Sequence, residues 1–187
     1  MPDNYIVDEI FENIEVLPKG EYENCNFQNC DFSNANFSDF KFIDCSFEAC
    51  NLSLIKLNNT AFSEVHFADC KMLGLHFEAC NTFGLSFTFE NCQLNHSSFY
   101  QTKIKNTTFR NSQLEEVDFT EADLSQSVFE QCYLTNAIFD QTILEKCDFR
   151  SAINYIINPE INRIKKAKFS TSGLFGLLNK YDIDIEN

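Results

Sequence analysis

The chain of 187 residues contains no tryptophan, only 5 glycines and 3 prolines, and half as many basic residues as acidic ones. So little glycine and proline excludes a collagen-like or low-complexity chain. No apolar run approaches the roughly 18 residues that span a membrane as a helix. Residues 1–11 include three acids and no basic stretch, so we expect no secretory signal. These absences predict a soluble, cytoplasmic protein with no membrane partner.

The shortage of bases is uneven along the chain. The formal charge is −14; residues 1–90 hold 15 acids and 4 bases, residues 91–150 hold 9 and 5, and residues 151–187 hold 4 and 5. Proteins bind nucleic acid mainly by neutralising phosphates with Lys and Arg. We therefore expect no nucleic-acid ligand, because the acidic body of this chain can only repel nucleic acid or imitate it.

What the chain has in excess is phenylalanine, with 21 residues. Large apolar residues occupy every fifth position from Tyr22 to Phe77, and we call these positions centres. Thr82 interrupts the series and Phe87 resumes it. The register then slips by two and continues from Leu94 to Phe149. A repeat of fixed period indicates a solenoid built from stacked units.

A second position of the repeat is selected independently of the first. The residue two before each centre is mostly small, and all 9 cysteines occupy this position, on both sides of the slip. Outside the slip region, no acid or base between Glu21 and Arg150 lies at a centre or two residues before one. Because charged side chains are almost never buried unpaired, these two positions are predicted to point inward.

A period of five fits neither the 3.6-residue turn of a helix nor the two-residue alternation of a strand. Two inward residues with one outward residue between them form a short extended side, and the other two outward residues form a corner. Four such sides close a coil of about 20 residues, and successive coils pair at the strand spacing of roughly 4.8 Å. The chain is therefore predicted to be all-β and four-sided.

Many repeat units share one motif, in which a small residue and then Asn or Asp precede a central Leu or Phe. Matching triplets are Cys25-Asn26-Phe27, Cys30-Asp31-Phe32, Ala35-Asn36-Phe37, Cys50-Asn51-Leu52, Ala122-Asp123-Leu124 and Cys147-Asp148-Phe149. This motif resembles that of the pentapeptide-repeat family. The resemblance implies a right-handed quadrilateral β-helix, the pentapeptide-repeat solenoid, and it agrees with the spacing argument.

Three segments follow from the limits of the repeat. Residues 1–20 precede it and are expected to form an N-terminal cap. Residues 21–150 form the β-helix, and the register slip at 82–89 makes either a bulge or a small functional loop. Residues 151–187 form a last, distorted coil, a short C-terminal helix and a closing strand that contains Ile183 and Ile185.

The short C-terminal helix is expected to have a role of its own. Its apolar residues have helical spacing. In family members similar to the quinolone-resistance (Qnr) proteins such a helix mediates a two-fold dimer, so the resemblance implies a homodimer through this segment; the alternative is a simple cap. The candidate dimerisation residues are Leu174, Phe175, Leu177 and Leu178.

Catalytic, cofactor-binding and metal sites are not expected. Cysteines one coil apart, such as Cys25 and Cys45, lie close enough for a disulfide. Their number is odd, however, and their position favours a small apolar residue, so we predict reduced, buried core thiols. His66 and His76 belong to opposite sides of the coil and His96 follows the slip, so they do not converge on a metal or a triad. We predict that the chain is not an enzyme.

The family resemblance also implies a function. Members similar to Qnr, McbG and MfpA bind DNA gyrase or topoisomerase IV in the saddle that holds DNA, and they protect the enzyme from its poisons or inhibit it. By this resemblance the chain is an acidic DNA mimic that confers antibiotic resistance or immunity. The candidate partner-binding acids are the densest acidic cluster, Glu115, Glu116, Asp118, Glu121 and Asp123, together with Asp44 and Glu64, which are 20 residues apart.

Two other interpretations stay open. The acids can be ordinary solvated charges that keep a rod soluble, with Arg110, Glu130 and Arg150 as a neutralising ladder on one side. Alternatively, the chain is a scaffold or binding module of the same fold with a different protein partner, because a fold does not determine a function.

Overall fold

The computed structural model describes residues 4–181 and 183–184. Short parallel strands are followed near the C-terminus by a single turn of α-helix. The strands are β1 (Tyr5–Val7), β2 (Ile10–Glu12), β3 (Glu21–Glu23), β4 (Asn26–Gln28), β5 (Lys41–Ile43), β6 (Ser46–Glu48), β7 (Ala61–Ser63), β8 (Val65–Ala68), β9 (Phe87–Glu90), β10 (Thr108–Arg110) and β11 (Val128–Glu130). The helix is α1 (Phe175–Leu178), and 3₁₀ turns cover Phe77–Ala79, Ser172–Leu174 and Asn179–Tyr181.

Each strand pairs with a strand one coil further along the chain. A four-stranded sheet has the order β1-β3-β5-β7, and a seven-stranded sheet has the order β11-β10-β9-β8-β6-β4-β2. Tyr22 pairs with Phe42, and Phe27 pairs with Phe47, which is the offset of 20 residues predicted for one coil. Where strands are too short to assign, isolated parallel bridges such as Asp31 with Asn51 continue the same register.

The coil has four sides, which we number by chain order. Face 1 carries the centre Phe42, face 2 carries Phe47, face 3 carries Leu52 and face 4 carries Leu57. Faces 1 and 2 hold the two sheets, and faces 3 and 4 pair through the isolated bridges. The prediction of an all-β, right-handed quadrilateral β-helix with a short C-terminal helix is confirmed.

The corners follow a rule of their own. The second residue after each centre has a left-handed backbone at nearly every corner, for example Asn24 (φ 52°), Asp39 (φ 61°) and Gln101 (φ 56°). Most side chains resist this conformation, and Asn and Asp adopt it most readily. The corner N–H still finds a partner in the next coil, as Asn24 donates to the carbonyl of Ile43 at 2.9 Å. Backbone sterics therefore explain the frequent Asn and Asp at this position.

The core consists of aromatic columns that run along the coil. Phe119 stacks between Phe99 and Phe139, with ring centroids 5.3 and 5.2 Å away, and it meets Phe109 and Phe129 edge to face at 6.0 and 5.9 Å. Offset stacks and edge-to-face pairs are the favoured aromatic geometries. The predicted columns at 20-residue intervals are present, and no charged residue is among the buried residues of the described chain.

The cysteines line the same core. All of them are free and buried. Every thiol other than that of Cys80 donates to a backbone carbonyl; for example, Cys132 donates to the oxygen of Phe109 at 3.2 Å and Cys147 donates to that of Leu124 at 2.9 Å. These contacts are weak, but they leave the small thiol satisfied in an apolar site.

The register slip differs in detail from the prediction. Phe89 pairs with both Phe67 and Phe109, so Phe89 is already a centre of the second register. Phe87 pairs with Val65 and occupies the position two before that centre. Assigning Phe87 to the first register was therefore wrong. A phenylalanine satisfies either inward position, so composition alone could not separate them.

The two extra residues form a turn that projects outward, and the coil itself is not distorted. Thr82, Phe83 and Gly84 are exposed, and Gly84 has a left-handed φ of 68°. The side chain of Phe83 is 90% exposed. The slip is therefore a small outward turn, and the core beneath it is closed by Phe87, whose ring lies 5.3 Å from that of Phe77.

Both ends of the coil are covered by aromatic stacking. At the N-terminal end, β1 and β2 extend the two sheets by one layer, and Phe11 stacks on Phe27 at 5.1 Å. At the other end Phe169 stacks on Phe149 at 5.5 Å. Ile183 has no strand conformation, and Ile185 of the expected closing strand lies outside the described residues.

We predict that Phe119→Ala destabilises the protein by about 3 to 5 kcal/mol, because it opens a cavity in a closed aromatic column. Phe119 is fully buried. Urea unfolding followed by circular dichroism measures the change. The control is Val16→Ala, whose side chain is 80% exposed and whose removal should matter little. A loss below about 1 kcal/mol at Phe119 would contradict the observed packing.

We also predict that stability falls at alkaline pH. Burial raises the pKa of Cys45, Cys132 and Cys147 to about 12 from an ordinary value of 9.0. A buried thiol then stays protonated in the native chain but ionises in the unfolded chain, so its contribution is complete below pH 9.0 and is lost as the pH rises toward 12.

Two measurements check this prediction. The midpoint of urea unfolding should decrease from about pH 8 to about pH 10.5, and Cys132→Ala should flatten that decrease. Thiol reagents should label the native protein slowly at about pH 8, since the thiolate is the reactive form. Rapid labelling of several cysteines without denaturant is the result that contradicts their burial.

Candidate partner-binding surface

The candidate acids surround face 4 of one coil. Glu115 and Glu116 lie at the edge between faces 3 and 4, and Asp118 lies in the middle of face 4, bridged to the neighbouring coils. Glu121 lies at the edge between faces 4 and 1, and Asp123 lies on face 1. Glu116 and Glu121 are corner residues with φ of 55° and 56°. The acidic stretch therefore turns two corners and does not present all five side chains to one side.

Side chains other than lysine and arginine contact three of these carboxylates. The amide of Gln101 donates to Glu121 at 2.8 Å, the amide of Asn95 reaches Glu115 at 3.5 Å, and His96 Nδ1 lies 3.1 Å from Glu116. Each neighbour comes from the coil below, 20 residues earlier in the chain. Such contacts orient the acids and place no lysine or arginine beside them, so the region around face 4 keeps a negative field.

Asp118 and Asp123 are fixed within their own turns. Asp118 accepts the backbone N–H of Thr120 at 2.8 Å. Asp123 accepts the N–H and O–H of Ser125, and Lys105 Nζ lies 3.1 Å away. Burial alone would raise the pKa of Asp123, but the hydrogen bonds from Ser125 and Lys105 outweigh it and lower the pKa. With its side chain 14% exposed and its charge compensated, Asp123 contributes least to the surface.

The second pair of candidates lies elsewhere on the rod. Asp44 and Glu64 occupy successive levels of the edge between faces 1 and 2, with φ of 51° and 52°. The hydroxyl of Ser86 donates to Glu64 at 3.2 Å. This edge is diagonally opposite the edge that carries Glu115 and Glu116, so one flat partner surface does not contact both groups.

The predicted neutralising ladder forms only in part. Arg110 Nε donates to Glu130 at 2.9 Å on face 2. Arg150 turns instead to Asp148 in its own coil, with Arg150 Nη2 2.6 Å from the carboxylate. Lys168 also lies 3.6 Å from Asp148. Asp148 lies in the same coil as Arg150, whereas Glu130 lies one coil away. The contact with Asp148 therefore replaces the expected contact between Glu130 and Arg150.

Of the C-terminal residues predicted to form a dimer, some are exposed to solvent and others pack toward the core. Leu174 and Phe175 are 43% and 52% exposed, while Leu177 packs against the core. A side-chain carbon at Gly173 or Gly176 would overlap Tyr155, so both glycines are needed for this close approach. The helix is therefore anchored on Tyr155 and presents Leu174 and Phe175 outward; Leu178 is half-buried.

No grouping of reactive side chains accompanies this surface. Among the described residues, no set of three or more His, Cys, Asp or Glu side chains is arranged to hold a metal ion. His66 contacts Thr88 and His76 contacts Glu78, and neither reaches the other. Within residues 4–181, no helix has the length and apolar character needed to cross a bilayer. What the coil presents to a partner is a pattern of charge and shape.

The conformation of the corners was not foreseen from the sequence. Glu116, Glu121, Asp44 and Glu64 all occupy the left-handed corner position, where their side chains project from an edge of the rod. The sequence signal for this corner conformation was the recurrence of Asn and Asp two residues after the centres. Ala49, Leu54 and Gln126 have the same conformation, so the left-handed corner is a property of the repeat and not of the acids alone.

Comparison with known proteins agrees with this architecture. A family profile described as "Pentapeptide repeat region" matches residues 21–88 and 86–155. A repeat of five residues, wound into a four-sided coil and matched over most of its length, defines the class: the chain belongs to the pentapeptide-repeat family. No curated protein sequence matches the chain.

Solved structures share this shape. Full-length QnrB1, a plasmid-mediated fluoroquinolone resistance protein, matches with a TM-score of 0.67 at 16% identity over 95% of this chain and 100% of that chain. A trypsin-treated variant of QnrB1 matches with a TM-score of 0.65 at 17% identity over 97% of each chain. At such identities the likeness establishes the fold, and the function has to be argued from the surface.

Proposed function

We propose that this protein is an acidic interaction protein that binds DNA gyrase or topoisomerase IV in place of DNA. Binding protects the enzyme from a topoisomerase poison or confers immunity to it. The fold it shares with QnrB1, a fluoroquinolone resistance protein, supports this function, as does its resemblance to topoisomerase-interacting members of the family.

The observation that carries the proposal is the set of uncompensated acids around face 4. Glu115, Glu116, Asp118 and Glu121 have no lysine or arginine within ion-pair distance in the part of the chain that the structure describes. They lie within one coil of the β-helix. A protein surface that binds DNA is basic, and a cluster of carboxylates held on a rigid coil is complementary to it.

Because the coil is rigid, binding to a partner costs little conformational entropy. The acids project from corners whose backbone is fixed by hydrogen bonds to the next coil; the N–H of Glu116 donates to Thr135 at 3.0 Å, and that of Glu121 donates to Asp140 at 2.8 Å. Little backbone ordering remains to be done on binding. Opposite charges then set the rate of encounter and the register of docking, and both weaken as salt rises.

We predict that neutralising the acidic cluster weakens topoisomerase binding at least about tenfold without unfolding the protein. The variant changes Glu115, Glu116 and Glu121 to Gln and Asp118 and Asp123 to Asn. Surface plasmon resonance with purified gyrase and topoisomerase IV measures the effect, and a supercoiling assay with and without a poison reads its consequence. Wild-type affinity should fall steeply between about 50 and 200 mM salt.

A matched control removes five exposed acids away from face 4. It changes Glu9, Glu12 and Glu48 to Gln and Asp31 and Asp69 to Asn. This control alters the net charge equally and should retain most of the binding. If the wild-type protein neither binds either enzyme at low salt nor alters supercoiling, the topoisomerase proposal is wrong, and the scaffold with a different protein partner replaces it.

The homodimer through the C-terminal segment is a separate proposal. It is supported by the outward Leu174 and Phe175 on a helix that is anchored from behind. We predict that Phe175→Ser removes the elongated, end-to-end dimer of the full-length chain in sedimentation velocity at micromolar concentration, because it removes an apolar contact. Tyr133→Ser, which also changes an exposed aromatic, is the control. A wild-type chain with no end-to-end dimer at that concentration contradicts the proposal.

A further inference from the structure

The outward turn at the register slip lies halfway along the coil. The pairing ladder of face 2 runs Ile10, Asn26, Ser46, His66, Thr88, Thr108, Val128, Asp148, Lys168, and Thr88 is its central member. Phe83 belongs to the same coil as Thr88 and lies on face 1, where the turn interrupts the row of centres. The described coil therefore carries its most exposed phenylalanine at its midpoint.

Hydrogen bonds on both sides hold this turn in place. The N–H of Phe83 donates to the side chain of Asn81 at 2.9 Å. Ser86 donates to the carbonyl of Gly84 at 3.2 Å and accepts the N–H of Glu64 at 2.8 Å. These bonds fix the backbone that carries Phe83, so little backbone freedom is lost when a partner covers its ring, as is typical of anchor residues at interfaces.

Charge changes sign across this midpoint. We define the face-1 strip as face 1 together with the edge that it shares with face 2. Before the turn the strip carries five acids and one base, Lys41, which pairs with Glu21 at 2.6 Å. These acids are Asp8, Glu21, Glu23, Asp44 and Glu64.

After the turn the face-1 strip is basic. Its two acids, Asp123 and Glu145, are already paired with Lys105 at 3.1 Å and with Arg163 at 2.7 Å. Lys146 and Lys166 occupy successive corners of one edge, both with φ of 61°, so like charges are stacked there. The bases of this half are Lys103, Lys105, Lys146, Arg163, Lys165 and Lys166.

We propose that the face-1 strip binds a second copy of this chain, antiparallel and side by side, about a two-fold axis at the level of Phe83. About such an axis, a coil a given number of levels after the turn in one copy faces the coil the same number of levels before the turn in the other copy. Each residue keeps its lateral position on the strip. The acidic half of one copy then faces the basic half of the other. At equivalent positions Asp8 faces Lys166 and Lys41 faces Asp123. Glu64 and Glu23 lie one residue away from Lys105 and Lys146; their own counterparts are Asn106 and Glu145, and Glu145 is bound by Arg163.

The net charge of −14 does not prevent this contact. At physiological salt the Debye length is about 8 Å, so charges that face each other decide the interaction and acids on the far side are screened. Charge pairing sets the register, and the two Phe83 side chains meet at the axis as an apolar centre. The contact leaves the acids of face 4 and the C-terminal helix open, so it does not rest on the proposed topoisomerase function.

Two complementary variants test the pairing directly. The first, Lys146→Glu with Lys166→Glu, leaves the half before the turn acidic and makes the half after the turn neutral. The second, Asp8→Lys with Glu23→Lys, makes both halves basic or neutral. Both are made in the full-length chain carrying Phe175→Ser, which removes the C-terminal contact. We expect that neither variant self-associates, and that an equimolar mixture at about 50 mM salt forms a heterodimer.

Shape and the anchor residue complete the test. Small-angle scattering of the Phe175→Ser chain should show a dimer whose maximum dimension is close to that of one rod, and Phe83→Ala should raise its dissociation constant at least about tenfold. Val16→Ala, another exposed apolar side chain, is the control. The proposal is overturned if the Phe175→Ser chain is monomeric at about 50 mM salt and micromolar concentration, if the mixture does not associate, or if Phe83→Ala dimerises like its parent.

Discussion

The structure depends on one constraint: every coil must stack on the next so that backbone N–H and C=O groups pair at each level. The N–H of Phe129 reaches the carbonyl of Asp148 at 2.9 Å, and the same bond recurs on each side of the coil. Unpaired buried backbone groups cost more than a turn at the surface. The chain therefore places its extra residues in an outward turn at Phe83 and brings Phe89 back into register with Phe67 on the neighbouring strand within a few residues.

Stacking also decides how charge is arranged on the outside. Residues one coil apart become neighbours, so Gln101 orients Glu121 and Arg110 pairs with Glu130 although the sequence separates each pair by 20 residues. Exposed ion pairs of this kind add little stability. Their importance is that each face and edge carries its own column of charge, independent of the other columns.

This independence allows one rod to present several surfaces. The acids around face 4 form the surface proposed for a basic partner, and the face-1 strip forms a self-complementary one. The core contributes to neither, because its buried residues are apolar or small and polar. Function in such a coil is therefore a property of the three outward positions in each unit, while the two inward positions are occupied by residues such as Phe119 and Cys132 for packing alone.

The amino-acid sequence by itself determined the period, the inward positions and the free thiols, because exclusion of charge and selection for volume act on each residue locally. It indicated the acids Glu115 to Asp123, but not that they turn two corners of the coil. Only the tertiary structure decided that Phe87 joins the second register, that Phe83 is exposed, and that Arg150 pairs with Asp148. Each of these outcomes depends on which residues stacking brings to one level, and a five-residue pattern contains no information about neighbours a full coil away.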